Sequence, residues 1–412
     1  MKILDKLEKK LEIDVKYFLK GGFWLGLSNV SNVSRLLIIG IVFARFLPKE
    51  SFGAFTYVNS IFLITNVFGT PGMSVAIVQS VARGYEGTFA YLTKKVFLWS
   101  IMGTFFMFFA GLYDEFFAAG EFSRIFFLLG FIFPFYSISV NFVYYLVAVK
   151  KFHIRMWMEL GQNAAIIVSI AIVLLSHGGL LWLVLAPILA QTLTGLSYIA
   201  YLMRTSNKKI DYSSNKYGKV LNLANVLPTA KMQIDKILVA NFLGYASTAT
   251  YNIAAALADQ VYAFAKIIAT MVVPKSANMD HATLRKNLSR ILAYLALLFC
   301  SISMILFFLY PYLIPFVFGG QYEDAILYAQ VITLFVGIKS ITAIIQQISQ
   351  SKKDLKSTVF SSYVGPFIEL GLMLLFIVKY QIFGIIIAKT ISDSLNLAVV
   401  IFYFNKGDNV IG

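Results

Sequence analysis

The chain carries little charge. Only 13% of its 412 residues are Asp, Glu, Lys or Arg, against roughly a quarter in a soluble domain. It has one cysteine, Cys300, so it cannot close an intrachain disulfide, and that residue lies inside an apolar run where a packing role is expected. Its three histidines, His153, His177 and His281, fall in separate polar connections, without the spacing of a zinc site. There is no GxxxxGK[ST] stretch, so no nucleotide is held by a P-loop. Neither a Ser/His/Asp arrangement nor paired carboxylates at a soluble site can be found. No catalytic residue, metal or cofactor is therefore expected, and the chain reads as a non-enzyme. Long connections are missing too, which leaves no room for the large external loop or domain that membrane glycosyltransferases and polysaccharide polymerases carry.

What the chain has in abundance is uncharged apolar sequence. It is 59% hydrophobic, with a mean hydropathy of +0.76. Residues 125–149 contain no charge at all. A hydrocarbon core about 30 Å thick takes about 20 residues of helix, so such runs read as membrane-spanning helices. They are too long and too uniformly apolar for the alternating strands of a barrel. Twelve helices are predicted, at about 23–46, 53–69, 95–113, 125–148, 158–176, 180–203, 219–242, 249–274, 290–310, 325–349, 358–378 and 382–404. Short amphipathic stretches follow the second and eighth, at 70–90 and 275–289.

The net charge of +15 would suggest nucleic acid in a soluble protein. Here the basic residues lie mostly between the apolar runs, so topology explains them and no nucleic-acid partner is expected. With a cytoplasmic N-terminus, the assignment places 25 of the 35 Lys and Arg in inside segments. Only 3, Lys49, Arg124 and Lys379, fall in outside connections. This is the positive-inside pattern, and it puts both termini in the cytoplasm. Residues 1–22 precede the first span. They mix Lys with Asp and Glu, as a cleavable signal does not, and Leu4, Leu7, Leu11, Val15 and Phe18 recur at helical spacing. They read either as an amphipathic helix on the cytoplasmic membrane surface or as a solvated basic leader. The rest divides into 23–210 and 211–412, each with six helices. A faint repeat supports that division. Residues 44–47 (ARFL), followed by Gly53, Ala54 and Phe55, resemble 240–243 (ANFL), followed by Ala249, Thr250 and Tyr251. Halves with an even helix number share one orientation and are related by an axis along the membrane normal.

The remaining 7 basic residues, Arg35, Arg45, Lys231, Lys236, Lys266, Lys339 and Lys389, fall within helices, as do Glu159, Asp235, Asp259, Glu369 and Asp393. A charge at the bilayer centre costs on the order of 2.5–3.5 kcal/mol, so each needs a wet cavity or a partner. Arg45 and Glu159 lie near helix ends and can snorkel. Arg35 lies about halfway along the first helix, and Ser28, Ser31, Asn32 and Arg35 share one face. That polar stripe lines an interior cavity or makes helix–helix hydrogen bonds. Lys231 with Asp235, and Lys389 with Asp393, are four apart and can pair along one helix; the alternative for each is a structural salt bridge between helices. Asp259 and Lys266 are seven apart, again on one face. Lys339 and Glu369 stand as single charges, and Pro228 suggests a kink in the seventh helix. The cationic excess suits a substrate with an anionic head, phosphate or pyrophosphate being the obvious candidate. The candidate anion contacts are Arg35, Lys231 and Lys266. Candidate cavity or coupling groups are Ser28, Asn32, Asp235, Asp259, Lys339, Glu369 and Asp393. A cation-coupled exporter would lean instead on the carboxylates.

Three segments carry a family resemblance: RFLPKESFGAFTY (45–57), GTPGMSVAIVQSVARG (69–84) and QIDKILVANFLGYA (233–246). They resemble the turn between helices 1 and 2, the segment after helix 2, and helix 7 of the Wzx-type polysaccharide repeat-unit flippases. These belong to the multidrug/oligosaccharidyl-lipid/polysaccharide exporter superfamily. The chain departs from the common Leu-Gly of the first turn, having Leu47-Pro48. The resemblance implies an all-α fold of about twelve transmembrane helices, in two six-helix bundles around a V-shaped central cavity lined by basic residues. It implies a bacterial inner-membrane flippase for undecaprenyl-pyrophosphate-linked oligosaccharide, destined for O-antigen or a similar surface polysaccharide. The polymerase and chain-length proteins of that pathway would be its partners. A multidrug exporter of the same superfamily and a membrane polysaccharide polymerase are the alternatives.

Overall fold

A computed structural model describes residues 15–69, 71–118, 120–278, 281–351 and 355–406. Among them every regular element is helical. The order is α1 (Val15–Phe46), α2 (Lys49–Thr65), α3 (Pro71–Ala82), α4 (Gly87–Phe117), α5 (Ser123–Ser139), α6 (Asn141–Ala148), α7 (Phe152–Leu175) and α8 (Leu180–Thr205). Then come α9 (Ser214–Asn278), α10 (His281–Phe318), a 3-10 turn at Gly320–Tyr322, α11 (Asp324–Ser351), α12 (Leu355–Val359), a π turn at Phe360–Val364 and α13 (Gly365–Lys406). The leucine pattern of residues 1–14 lies outside the described residues.

Among the described residues, 8 helical stretches are long and apolar enough to cross a membrane by length and composition. One of these, Ser357–Phe404, holds two rods, because Gln381 (φ 51°, ψ −131°) breaks α13. The 65-residue α9 holds two more, broken at Gly244 (φ 85°, ψ 172°). With α2 as a further crossing, the described residues form the twelve rods expected from the apolar runs. The breaks are tighter than the sequence suggests. The connections expected around 242–248 and 378–382 each shrink to one non-helical residue. Gly244 sits in a region closed to most side chains, which lets α9 turn without a loop. Pro228 keeps helical backbone angles, so the break in α9 falls at Gly244 instead. Between α1 and α2, Pro48 stands where a missing N–H is harmless, and its carbonyl accepts the Phe52 N–H at 3.1 Å.

The chain forms two compact units, Met1–Gly40 with Phe62–Val226, and Ile41–Ile61 with Leu227–Gly412. In the first, α3 is no surface amphipathic helix. Its Met73, Ala76, Ile77 and Val81 are buried with Phe89, Leu92, Phe142 and Leu146 of α4 and α6. In the second, α9, α10, α11 and α13 share a core around Ala258, Phe299, Ile345 and Val400. Cys300 is exposed on α10, contrary to the packing role expected from its apolar surroundings.

Residues 41–61 join the second unit through polar and aromatic contacts at the α1–α2 tip. Lys49 bonds Asp324 (2.9 and 3.0 Å), which also accepts from Thr250 (3.1 Å). Arg45 donates to the carbonyls of Phe316 and Val317, and Gln321 to that of Ala44. Arg45 therefore meets backbone acceptors rather than only the interface. Phe52 meets Tyr322 edge-on. Gly53 packs so tightly that a Cβ there would overlap the Tyr245 backbone. The two copies of the faint repeat, around 44–55 and 240–251, thus touch each other. We expect Gly53→Val to cost about 1–3 kcal/mol of stability through overpacking, read as a lowered thermal midpoint of the protein in detergent. An unchanged midpoint would show that this contact is not the tight one described.

Candidate functional site

Two polar clusters lie inside the helical units. In the first unit, the stripe on α1 faces α7. Asn163 Nδ2 donates to Ser31 Oγ and Asn32 Oδ1, both at 2.9 Å. One turn before Asn163 stands Glu159, whose carboxylate lies within the influence of Asn32. It is held by Arg155, whose Nε and Nη2 both lie 3.2 Å from Glu159 Oε1. Glu159 is only 5% exposed. Arg155 engages its Oε1 alone. Arg35, half-buried, acts electrostatically on both Tyr136 and Glu159. Tyr136 in turn hydrogen-bonds Asn66 and Gln191. Three buried polar atoms of this cluster have no hydrogen-bond partner: Ser28 Oγ, Glu159 Oε2 and Arg35 Nε.

The second cluster runs through α9, α11 and α13, and its pairs cross between rods rather than running along them. Lys389 of α13 pairs with Asp235 of α9, and Tyr251 donates to the same carboxylate at 2.7 Å. Lys231 pairs with Glu369, which is 2% exposed. Lys339 of α11 lies 3.6 Å from Asp259. Both Lys339 and Lys266 sit over the Tyr262 ring, at 4.3 and 4.7 Å. Asp393 lies in the field of Lys231, Glu369, Lys339 and Lys389.

Among the described residues the pairs Lys231–Asp235 and Lys389–Asp393 do not form as direct bridges along one helix; the between-helix alternative holds for Lys231, Asp235 and Lys389. A lysine four residues before its acid is the weaker orientation along a helix, and here the long lysine side chains reach acids on neighbouring rods. Lys339 and Glu369 are not single charges but the partners of Asp259 and Lys231. The result is a balance. Lys231, Lys266, Lys339 and Lys389 face Asp235, Asp259, Glu369 and Asp393. Lys236 adds one cation, which reaches Gln233 at 3.4 Å.

Sequence reasoning missed Tyr136, Tyr251 and Tyr262, since a tyrosine in an apolar run carries no sign of its partner. It also missed the amides. The step Gln162–Asn163, two buried amides in the middle of an apolar helix, was the available signal. Among the described residues no group of His, Cys, Asp or Glu could hold a metal. An open surface groove of about 360 Å³ lined by Ser169, Ile172, Val173, Ser176, Trp182 and Ala186 has no charged lining and lies apart from both clusters.

Breaking a buried pair costs more than removing it whole, by about 3–5 kcal/mol for the orphaned charge. Lys389→Ala should therefore lower the thermal midpoint more than Lys389→Ala with Asp235→Ala together. Strictly additive losses would show that the two do not act as a pair.

The fold is shared with known transporters. "Lipid II flippase MurJ, inward closed conformation" is similar over 93% of this chain and 87% of its own, at 18% identity and a TM-score of 0.65. An inward-facing "multidrug resistance MATE family transporter of the MOP superfamily" is similar over 92% and 94%, at 15% identity and a TM-score of 0.65. A Vibrio cholerae MATE transporter, VcmN, is similar over 95% and 96%, at 13% identity and a TM-score of 0.59. No curated protein matches in sequence. At these identities the likeness shows the fold, the multi-pass helical fold of MOP-superfamily transporters. The family model described as "Polysaccharide biosynthesis protein" matches residues 42–327, so the chain belongs to the polysaccharide biosynthesis protein family.

Proposed function

We propose that the chain is a flippase that moves undecaprenyl-pyrophosphate-linked oligosaccharide repeat units across the bacterial inner membrane by alternating access. The product would serve O-antigen or a similar surface polysaccharide. Both termini would lie in the cytoplasm, as the distribution of Lys and Arg suggests. The family and the fold shared with a lipid II flippase support a lipid-linked sugar as substrate.

The observation that carries the reading is the contrast between the two charge clusters. In the second unit Lys231, Lys339 and Lys389 each face a carboxylate, and Lys266 faces the Tyr262 ring. Arg35 in the first unit has a buried Nε with no partner, and its nearest carboxylate, Glu159, is already held by Arg155. A guanidinium so placed at mid-depth requires hydration or an anion. It suits a phosphate oxygen, which accepts charge-assisted bonds from a planar fork. Arg35 is thus the main head-group contact. Lys231 and Lys266 reach an anion only by exchange with Glu369 or from the face of Tyr262. Ser28 and Asn32 shape the stripe beside Arg35. The cross-rod pairs of Asp235, Asp259, Glu369, Lys339 and Asp393 hold the second unit together and are the groups available for coupling. The polymerase and chain-length proteins of the same pathway are the partners this role implies.

The MATE-like fold leaves a multidrug exporter as the second reading. The lysines bound to Asp235 and Glu369 weigh against it, because they occupy the carboxylates a cationic drug or coupling cation would need. Arg35→Ala should abolish surface polysaccharide at unchanged protein level, Arg35→Lys should retain part of it, and Lys266→Ala should retain more. Normal polysaccharide in Arg35→Ala, or dye efflux by the intact protein, would overturn the assignment.

A further inference from the structure

We propose that Glu159 is a built-in anion that occupies the Arg35–Arg155 pair and is displaced by the pyrophosphate head group, which makes Arg155 a second guanidinium of that site. The inference rests on the flippase reading above and adds the identity of the site's resting occupant. Arg155 counts, in the sequence, as one of the many cations at an inner helix end. Its geometry is different. Nε and Nη2 both engage Glu159 Oε1 at 3.2 Å, and its side chain is 16% exposed.

The cluster is electrically incomplete. Two guanidiniums act on one carboxylate, which leaves an excess positive charge in a site where charge is costly. Tyr136 is the other titratable group beside Arg35. The cluster is also geometrically incomplete, with Arg35 Nε and Glu159 Oε2 both buried and lacking a hydrogen-bond partner. A pyrophosphate diester brings two charged phosphates. It can serve both guanidiniums at once, where a single carboxylate serves one fully.

The displaced carboxylate has somewhere to go. Asn32 acts on the Glu159 carboxylate, and both residues border Asn163, which donates to Asn32 Oδ1 at 2.9 Å and stands one turn after Glu159 on α7. Ser28 stands one turn before Asn32 on the same face of α1, and its hydroxyl is fully buried with no partner. That hydroxyl is an unused donor within the cluster. It can receive Glu159 Oε2 once phosphate takes the arginines. Three unsatisfied atoms then find partners in one exchange: Arg35 Nε with phosphate, Glu159 Oε2 with Ser28, and Ser28 Oγ with Glu159. The exchange moves no proton and breaks no covalent bond. It leaves the site neutral to slightly negative while the head group is bound, and it restores a bound anion when the head group leaves.

The test is binding of geranylgeranyl pyrophosphate, with geranylgeraniol as control, to the purified full chain in nanodiscs. Wild type should bind the pyrophosphate and not the alcohol. Glu159→Gln keeps the shape of the side chain and removes the competing charge, so it should tighten binding about fivefold. Arg155→Ala should weaken it about tenfold, with Arg155→Lys between. Ser28→Ala should weaken binding about twofold in wild type and have no effect in Glu159→Gln. Thermal midpoints of each variant check folding. If Glu159 and Arg155 form a purely structural bridge, Glu159→Gln will weaken binding or leave it unchanged, and the placeholder role is overturned while the flippase reading stands. If wild type does not bind the pyrophosphate, the flippase reading itself fails.

Discussion

Charge buried in hydrocarbon must be matched, and that requirement fixes how the second unit is built. Lys389 on α13 finds Asp235 and Tyr251 on α9, Lys231 on α9 finds Glu369 on α13, and Lys339 on α11 finds Asp259 on α9. Each bridge ties two rods distant in sequence. The apolar side chains that fill the space between them, such as Ile345 and Val400, are interchangeable in kind; the charged pairs are not. Replacing Lys389 or Lys231 by an apolar residue leaves a carboxylate that is 2% exposed, Asp235 or Glu369, without its counter-ion. The pairs therefore specify which rod lies beside which, while dispersion and packing do the bulk of the holding.

The first unit solves the same problem incompletely. Its stripe is built from short hydroxyls and amides on α1 and α7, which satisfy one another at 2.9 Å. At Arg35, Glu159 and Ser28 the matching stops, and three buried polar atoms are left over. Native interiors rarely tolerate such atoms without a ligand or water to meet them. Buried atoms without a hydrogen-bond partner occur in the second unit as well, both Glu369 oxygens and Asn396 Oδ1 among them. What sets the first apart is an arginine, Arg35, that no carboxylate among the described residues bridges, and this directs the functional reading to α1, α5 and α7.

The sequence makes the architecture readable and the partnerships opaque. The number and place of the rods follow from apolar run length, since hydrocarbon thickness sets helix length directly. The distribution of Lys and Arg then orders the rods. Breaks at Gly244 and Gln381 are harder to size, because one residue of unusual φ replaces a whole loop and leaves no polar stretch to see. Arg35 and the charges of α9 and α13 stand out as ionisable residues in apolar surroundings. Which carboxylate meets which lysine cannot be read from spacing along one helix, since the partner lies on another. Glu159 shows the same limit: nearness to a helix end suggests escape to water, whereas the residue is 5% exposed and bridged to Arg155. The offset between 44–55 and 240–251 is visible as a likeness, but the contact of Gly53 with the Tyr245 backbone is a property of folding alone.

The separation of Asp235 from Lys389 has a consequence for how the chain is made. These partners are 154 residues apart, which at a synthesis rate of about 5–20 residues per second is a wait of roughly ten to thirty seconds. Throughout that interval the first rod of α9 carries an acid whose final counter-ion has not yet left the ribosome. The nascent rod must linger near the insertion machinery, or borrow its own Lys231 or Lys236 as a temporary neutraliser, until α13 arrives.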